Sequence, residues 1–76
     1  MDAAVLAEFG ARVQQARTAR GWSQSDLADK TGLAQVQISR IETGAREIRL
    51  TTLLRLIDAL DVPSAQLLDG LHVQFH

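Results

Sequence analysis

The sequence predicts one all-α domain of five helices, with a short C-terminal strand as an added option. Three observations predict it. Apolar residues recur at three- and four-residue spacing through most of the chain. Gly21, Gly32, Gly44 and Gly70 fall where those periodic runs stop, as helix-ending glycines do. The one proline, Pro63, stands where it can open a helix rather than break one.

Each element has its own signal. The first helix is expected from about Val5 to Arg20, with Leu6, Phe9, Val13 and Ala16 along one side and Gly21 as its stop. Ser23 and Asp26 then read as a capping box. The Ser23 side chain accepts from the amide three residues on, and Asp26 answers it in place of the usual Glu or Gln. The second helix follows from Gln24 to Thr31, burying Leu27 and Ala28, and stops at Gly32. The third is expected from about Gln35 to Thr43, with Ile38 and Ile41 inward and Gly44 behind it. The fourth spans about Leu50 to Leu60. Leu50, Leu53, Leu54, Ile57 and Leu60 form its apolar stripe, and Leu56 widens that stripe enough to suggest burial on more than one side. A short fifth helix begins near Pro63, carries Leu67 and Leu68, and ends at Gly70. The tail alternates Leu71, Val73 and Phe75 with His72, Gln74 and His76, which is the period of a strand. The expected organisation is one domain over residues 1–76, with a core at 5–69, a helix-turn-helix at 24–43 and a tail at 70–76.

Composition narrows the function classes. A chain of 76 residues without cysteine has no disulfide and no thiolate zinc site to staple a small core. Burial against a partner chain is then the remaining source of added stability. The apolar fraction, 46%, is ordinary for a globular chain. No apolar run approaches the roughly 20 residues that span a membrane, and no signal-peptide pattern opens the chain. The expectation is a cytoplasmic protein with no membrane role. Net charge is -1, which by itself argues against nucleic acid. The distribution argues otherwise. All eight basic residues lie between Arg12 and Arg55 with only Asp26, Asp29, Glu42 and Glu47 among them, so that stretch is positive. Phosphate binding needs a basic face, not a basic protein.

The two short helices around Gly32 form a helix-turn-helix candidate. Counted from Ile38 and Ile41, the outward residues of the second are Gln35, Val36, Arg40, Thr43 and, in part, Gln37. Gln pairs with adenine, Arg with guanine, and a small apolar group touches a thymine methyl. A merely solvated helix face has a similar composition.

The run Arg20-Gly21-Trp22-Ser23-Gln24-Ser25-Asp26-Leu27-Ala28 resembles the entry to the helix-turn-helix of the Cro/C1-type, or xenobiotic-response-element, family. So do the continuation from Gly32 through Gly44 and the later run Leu53-Leu54-Arg55-Leu56-Ile57-Asp58-Ala59-Leu60. The resemblance covers about residues 6 to 69. It implies a compact five-helix, lambda-repressor-like DNA-binding domain whose third helix enters the major groove, usually of a homodimer on a palindromic operator. It implies that Gln35, Val36, Gln37 and Arg40 read bases. It also implies that Gln24, Thr43 and Arg46 hold the DNA backbone, with Gln24 bracing Gln35; Arg49, which departs from the family pattern, is expected to add a further phosphate contact. Arg17 and Glu42 match a largely buried ion pair between the first and third helices; without the resemblance, Arg17 reads as an ordinary surface arginine. The chain departs from the family at three places. Ala34 stands where a capping Ser or Thr is common, a loss of about 1 kcal/mol. Ile48-Arg49 replaces Pro-Ser before the fourth helix, where Thr51 or Thr52 is an alternative start. Asp61 stands where glycine is common and should take left-handed dihedrals or force a different turn.

The expected function is that of a sequence-specific, double-stranded-DNA-binding transcriptional regulator, a homodimeric repressor reading a palindromic operator through residues 35–43. The alternatives are an antitoxin that also autoregulates, a restriction-modification controller, and a protein-interaction module without DNA binding. Further partners would be a toxin or RNA polymerase, the latter through Asp26 and Asp29 if these are more than a solvated pair. The expected dimer surface is Leu56, Leu68, Leu71, Val73 and Phe75; the tail residues would otherwise cover their own core. Catalysis has little support. His72 and His76 share one face of the tail, but only Asp69 is near them, so no catalytic residue, metal site or cofactor is expected.

Overall fold

A computed structural model describes residues 3–72. They form α1 (Ala3–Ala19), α2 (Gln24–Thr31), α3 (Gln35–Thr43), α4 (Leu50–Leu60) and α5 (Ser64–Leu68), with no strand among the described residues. Val73, Phe75 and His76, and with them the expected tail strand, lie outside the described residues. None of the five helices is long and apolar enough to cross a membrane.

The ends of α2, α3 and α4 fall where the sequence places them. Ser23 Oγ accepts the Asp26 amide at 3.0 Å, and the Asp26 carboxylate accepts the Ser23 amide at 2.8 Å. α1 starts earlier than expected, because Ala3 and Ala4 are strong helix formers. Its last turn tightens, with the Arg20 and Gly21 amides reaching the Arg17 and Thr18 carbonyls three residues back. α4 begins at Leu50 behind an Arg49 that supplies no capping bond, so neither Thr51 nor Thr52 shifts the start. Asp61 closes α4 at φ 52°, ψ 49°, the left-handed conformation its position requires.

The core gathers Phe9, Val13 and Ala16 of α1, Leu27 and Ala28 of α2, Ile38 and Ile41 of α3, Leu56 and Leu60 of α4, and Leu67 of α5. α4 is rotated relative to the expected stripe. Leu56 and Leu60 are fully buried, whereas Leu50 is 69% and Leu54 55% exposed. Apolar residues at so many positions of α4 leave the phase of its periodicity open. At 3.6 residues per turn, Leu50 and Leu54 stand about 120° and 160° round the helix from Leu56. The assignment of Leu56 to a dimer surface is therefore corrected. It fills its own core and presents nothing to a second chain.

α1 packs most extensively on α3, and the approach is backbone to backbone. Gly10 lies against the Ile41 and Glu42 carbonyls, where a Cβ would come within 2.7 Å of the Glu42 oxygen. This close approach fixes how far α3 stands out from the body of the protein.

Candidate nucleic-acid interface

The turn before α3 is built from Gly32, at φ 75°. That left-handed conformation suits glycine because there is no Cβ to strain. Thr31 stitches the turn: its hydroxyl donates to the Leu27 carbonyl at 2.8 Å and accepts the Leu33 amide at 3.2 Å. Ala34 is the N-cap of α3 and has no side-chain acceptor to offer. Half of a capping box survives, because Gln37 Oε1 accepts the Ala34 amide at 3.0 Å. The carbonyl end of Gln37 is thus committed, and its NH2 end remains to donate.

Ile38 and Ile41 point α3 into the core, and Glu42 is buried beside them. The opposite face is open. Gln35, Gln37, Arg40 and Thr43 are exposed, and Val36 is 54% exposed. Neither the Gln35 nor the Arg40 side chain is held by another described residue. The Thr43 hydroxyl is occupied locally, donating to the Ser39 and Arg40 carbonyls at 3.1 and 3.2 Å.

A charged brace holds the buried face. Arg17 Nε donates to Glu42 Oε2 at 2.6 Å and Arg17 Nη2 to Oε1 at 3.0 Å, a bidentate pair. Arg17 Nη1 also donates to the Trp22 carbonyl at 2.7 Å, which ties down the loop before α2. The hydrogen bonds donated to Glu42 hold the Arg17 guanidinium above its ordinary pKa, against the opposing effect of burial. Gln24 joins this brace. Its Nε2 donates to Glu42 Oε1 at 3.1 Å, so in this structure it steadies the ion pair rather than Gln35.

Beside the open face runs a cleft of ≈ 500 Å³ between α3 and the start of α4. Gln37 and Arg40 line it from α3; Arg46 and Arg49 line it from the α3–α4 loop. The structure thus brings these four site residues together and leaves Gln24 apart with Glu42. Sequence reading missed a fifth participant, Arg55, which lines the same cleft from α4. No local signal marked it, because the end of α2 that it meets is 24 positions away in the chain. Arg55 Nη1 also lies 3.4 Å from the Thr31 carbonyl at the end of α2. Glu47 is the one acid among the lining residues.

A second, smaller groove of ≈ 240 Å³ is lined by Val5, Leu6 and Phe9 of α1, Leu53, Ile48, Leu68, Leu71 and His72. It contains Leu68 and Leu71 of the expected dimer surface and is almost entirely apolar. Among the described residues, no three His, Asp or Glu side chains gather as a metal site would require.

Comparison with known proteins places this geometry. A helix-turn-helix family model, HTH_3, matches residues 13–67. A prophage-derived uncharacterized HTH-type transcriptional regulator of Bacillus subtilis, YonR, is 39% identical over 67 residues, covering 88% of this chain and 62% of the relative. The antitoxin HipB of Escherichia coli K12 is 37% identical over 46 residues, covering 60% of this chain and 52% of HipB. The chain therefore spans only about half to three fifths of the length of these two relatives. Among solved structures, the restriction-modification controller protein C.AhdI of Aeromonas hydrophila superposes with a TM-score of 0.81 at 39% identity. That match covers 84% of this chain and 97% of the controller. The SinR protein/SinI protein complex matches with a TM-score of 0.76 at 35% identity, covering 84% of this chain and 63% of that one.

Proposed function

The chain belongs to the Cro/C1-type helix-turn-helix family, and from that premise we propose that it is a sequence-specific, DNA-binding transcriptional regulator. One observation carries the reading. The outer face of α3 is solvent-open and bears Gln35, Val36 and Arg40, while its inner face is clamped by Ile38, Ile41 and the Arg17–Glu42 pair. A helix fixed on one side and bare on the other can enter the major groove without rearranging the domain.

The division of labour is physical. Arg46 and Arg49 hold phosphates and set the register, a contribution indifferent to sequence. Gln35, Val36 and Arg40 then test base edges. Gln37 takes part with its NH2 end, as a donor only. Gln24 reaches the backbone if it leaves Glu42; otherwise it acts by stiffening the brace. The chain carries no catalytic role in this account and works in the cytoplasm, where the DNA is.

One domain makes few contacts, so two copies are needed for tight binding to an inverted repeat, with recognition helices about 34 Å apart. Exposed Leu50, Leu54 and Leu68, with Leu71 in the neighbouring groove, supply the apolar surface for the dimer. Binding over a promoter would make the protein a repressor. Among settings for such regulators, a restriction-modification controller is favoured over an antitoxin, because C.AhdI matches 84% of this chain at 39% identity and HipB 60% of it at 37%.

The test is a gel-shift titration at several salt concentrations, with DNA from upstream of the gene and with unrelated DNA. The expected result is a retained upstream complex at salt that dissolves the unrelated one. Equal loss of both would remove sequence-specific regulation.

A further inference from the structure

We propose that Arg55 is a phosphate-holding residue, which lines the cleft between α3 and α4 from the α4 side and makes it a cradle for one stretch of DNA backbone. The inference rests on the reading of α3 as the groove-entering helix, and it extends the grip from the loop onto the body of α4.

Three observations support it. First, the cleft is electrostatically lopsided. Arg40, Arg46, Arg49 and Arg55 converge on it, with Glu47 as the single opposing carboxylate. Four arginines lining one open space place like charge close together, and an anion held among them relieves that repulsion. Second, Arg55 is not used up by the fold. It is exposed, and its one hydrogen bond within the described protein is the long 3.4 Å contact from Nη1 to the Thr31 carbonyl. A guanidinium has five N–H donors in a planar fork, so the remaining donors suit a phosphate oxygen pair. Third, the location is right. Arg55 shares the cleft with Gln37 and Arg40 of α3, so a backbone lying there runs alongside the helix that reads the bases.

The Thr31 contact adds a consequence. Thr31 ends α2 immediately before the Gly32 turn. A phosphate held by Arg55 therefore lies next to the turn that aims α3.

The experiment measures equilibrium binding of the full chain to a short duplex of arbitrary sequence across a range of salt. Arg55→Gln, Arg55→Lys and Arg49→Gln are compared with the parent, and folding is checked by circular dichroism. Arg55→Gln is expected to lower the slope of log affinity against log salt by about 0.9, the value of one lost phosphate contact, and to weaken all sequences alike. Arg55→Lys is expected to restore the slope. A second measurement needs no substitution: modification of the parent by phenylglyoxal, read by mass spectrometry, should be slower at Arg55 when duplex is bound. An unchanged slope in Arg55→Gln beside a lowered one in Arg49→Gln would overturn the role of Arg55 alone. So would equal modification of Arg55 with and without duplex while Arg49 is shielded. Absence of duplex binding by the parent would overturn the underlying reading as well.

Discussion

Gly10 of α1 sits directly over the Ile41 carbonyl of α3, with no space between them for a methyl group. In an open helix, replacing glycine by alanine gains about 1 kcal/mol. Here the sign reverses, because the added carbon meets fixed backbone rather than a side chain that can swing away. Gly10→Ala is expected to lower stability by about 1–3 kcal/mol, the usual cost of overpacking. Urea denaturation checks this; a higher midpoint would show that α1 can slide off α3 freely.

The Arg17–Glu42 pair supplies the second prediction. Both residues are 8% exposed, so removing one leaves the other buried without its partner. Arg17→Ala is expected to cost about 3–5 kcal/mol. Replacing both with apolar residues of similar volume, Arg17→Met with Glu42→Leu, should cost much less than the single change. A double-mutant cycle by thermal melting measures the difference, and simple additivity would mean that the pair is not coupled.

Ala34 offers a gain. Its dihedrals, φ -75° and ψ 149°, already suit a capping residue. Ala34→Ser should let the hydroxyl accept the Gln37 amide and complete the half-formed capping box. The expected gain is about 0.5–1 kcal/mol, and about 1 kcal/mol raises the melting temperature of so small a domain by roughly 4–8 °C. No rise in a calorimetric scan would place the α3 start elsewhere.

Acid should act on the α2 cap. The Ser23 backbone amide, and then its side chain, hold the Asp26 carboxyl below its ordinary value of 3.8. A depressed folded-state pKa adds stability that is complete above the unfolded value and is lost as pH falls through the folded one. The stability difference between the parent and Asp26→Asn should therefore be constant near neutrality and shrink below about pH 4. Denaturation midpoints measured across that range test it; a difference that grows in acid would reverse the assignment.

Much of the fold was legible because its boundaries are chemical. Ser23 with Asp26, Gly32 and Gly44 mark helix ends through their own hydrogen bonds and dihedrals, so α2 and α3 could be placed without knowing the packing. Asp61 was marked only by family likeness, as a departure from the usual glycine, and the structure gives it the left-handed conformation at φ 52°. Side-chain phase was harder. In a helix as leucine-rich as α4, periodicity could not separate buried Leu56 from exposed Leu50 and Leu54; only packing against α2 and α1 decides it. Gly10 gave no signal, since a glycine inside a periodic run looks like a weak helix residue until its neighbour across the core is known. The Arg17–Glu42 pair, 25 positions apart, came from family likeness rather than from spacing. Arg55 was missed because its neighbour, the end of α2, is 24 positions away in the chain.

The central claim is that the bare face of α3 meets duplex DNA, and titration of the isotopically labelled chain with a short duplex tests it most directly. Amide shifts should concentrate at Gln35, Val36 and Arg40 and along the loop through Arg46 and Arg49, with α5 unmoved. Shifts confined to α1, α5 and the Leu68–Leu71 groove, or none at saturating duplex, would contradict the account.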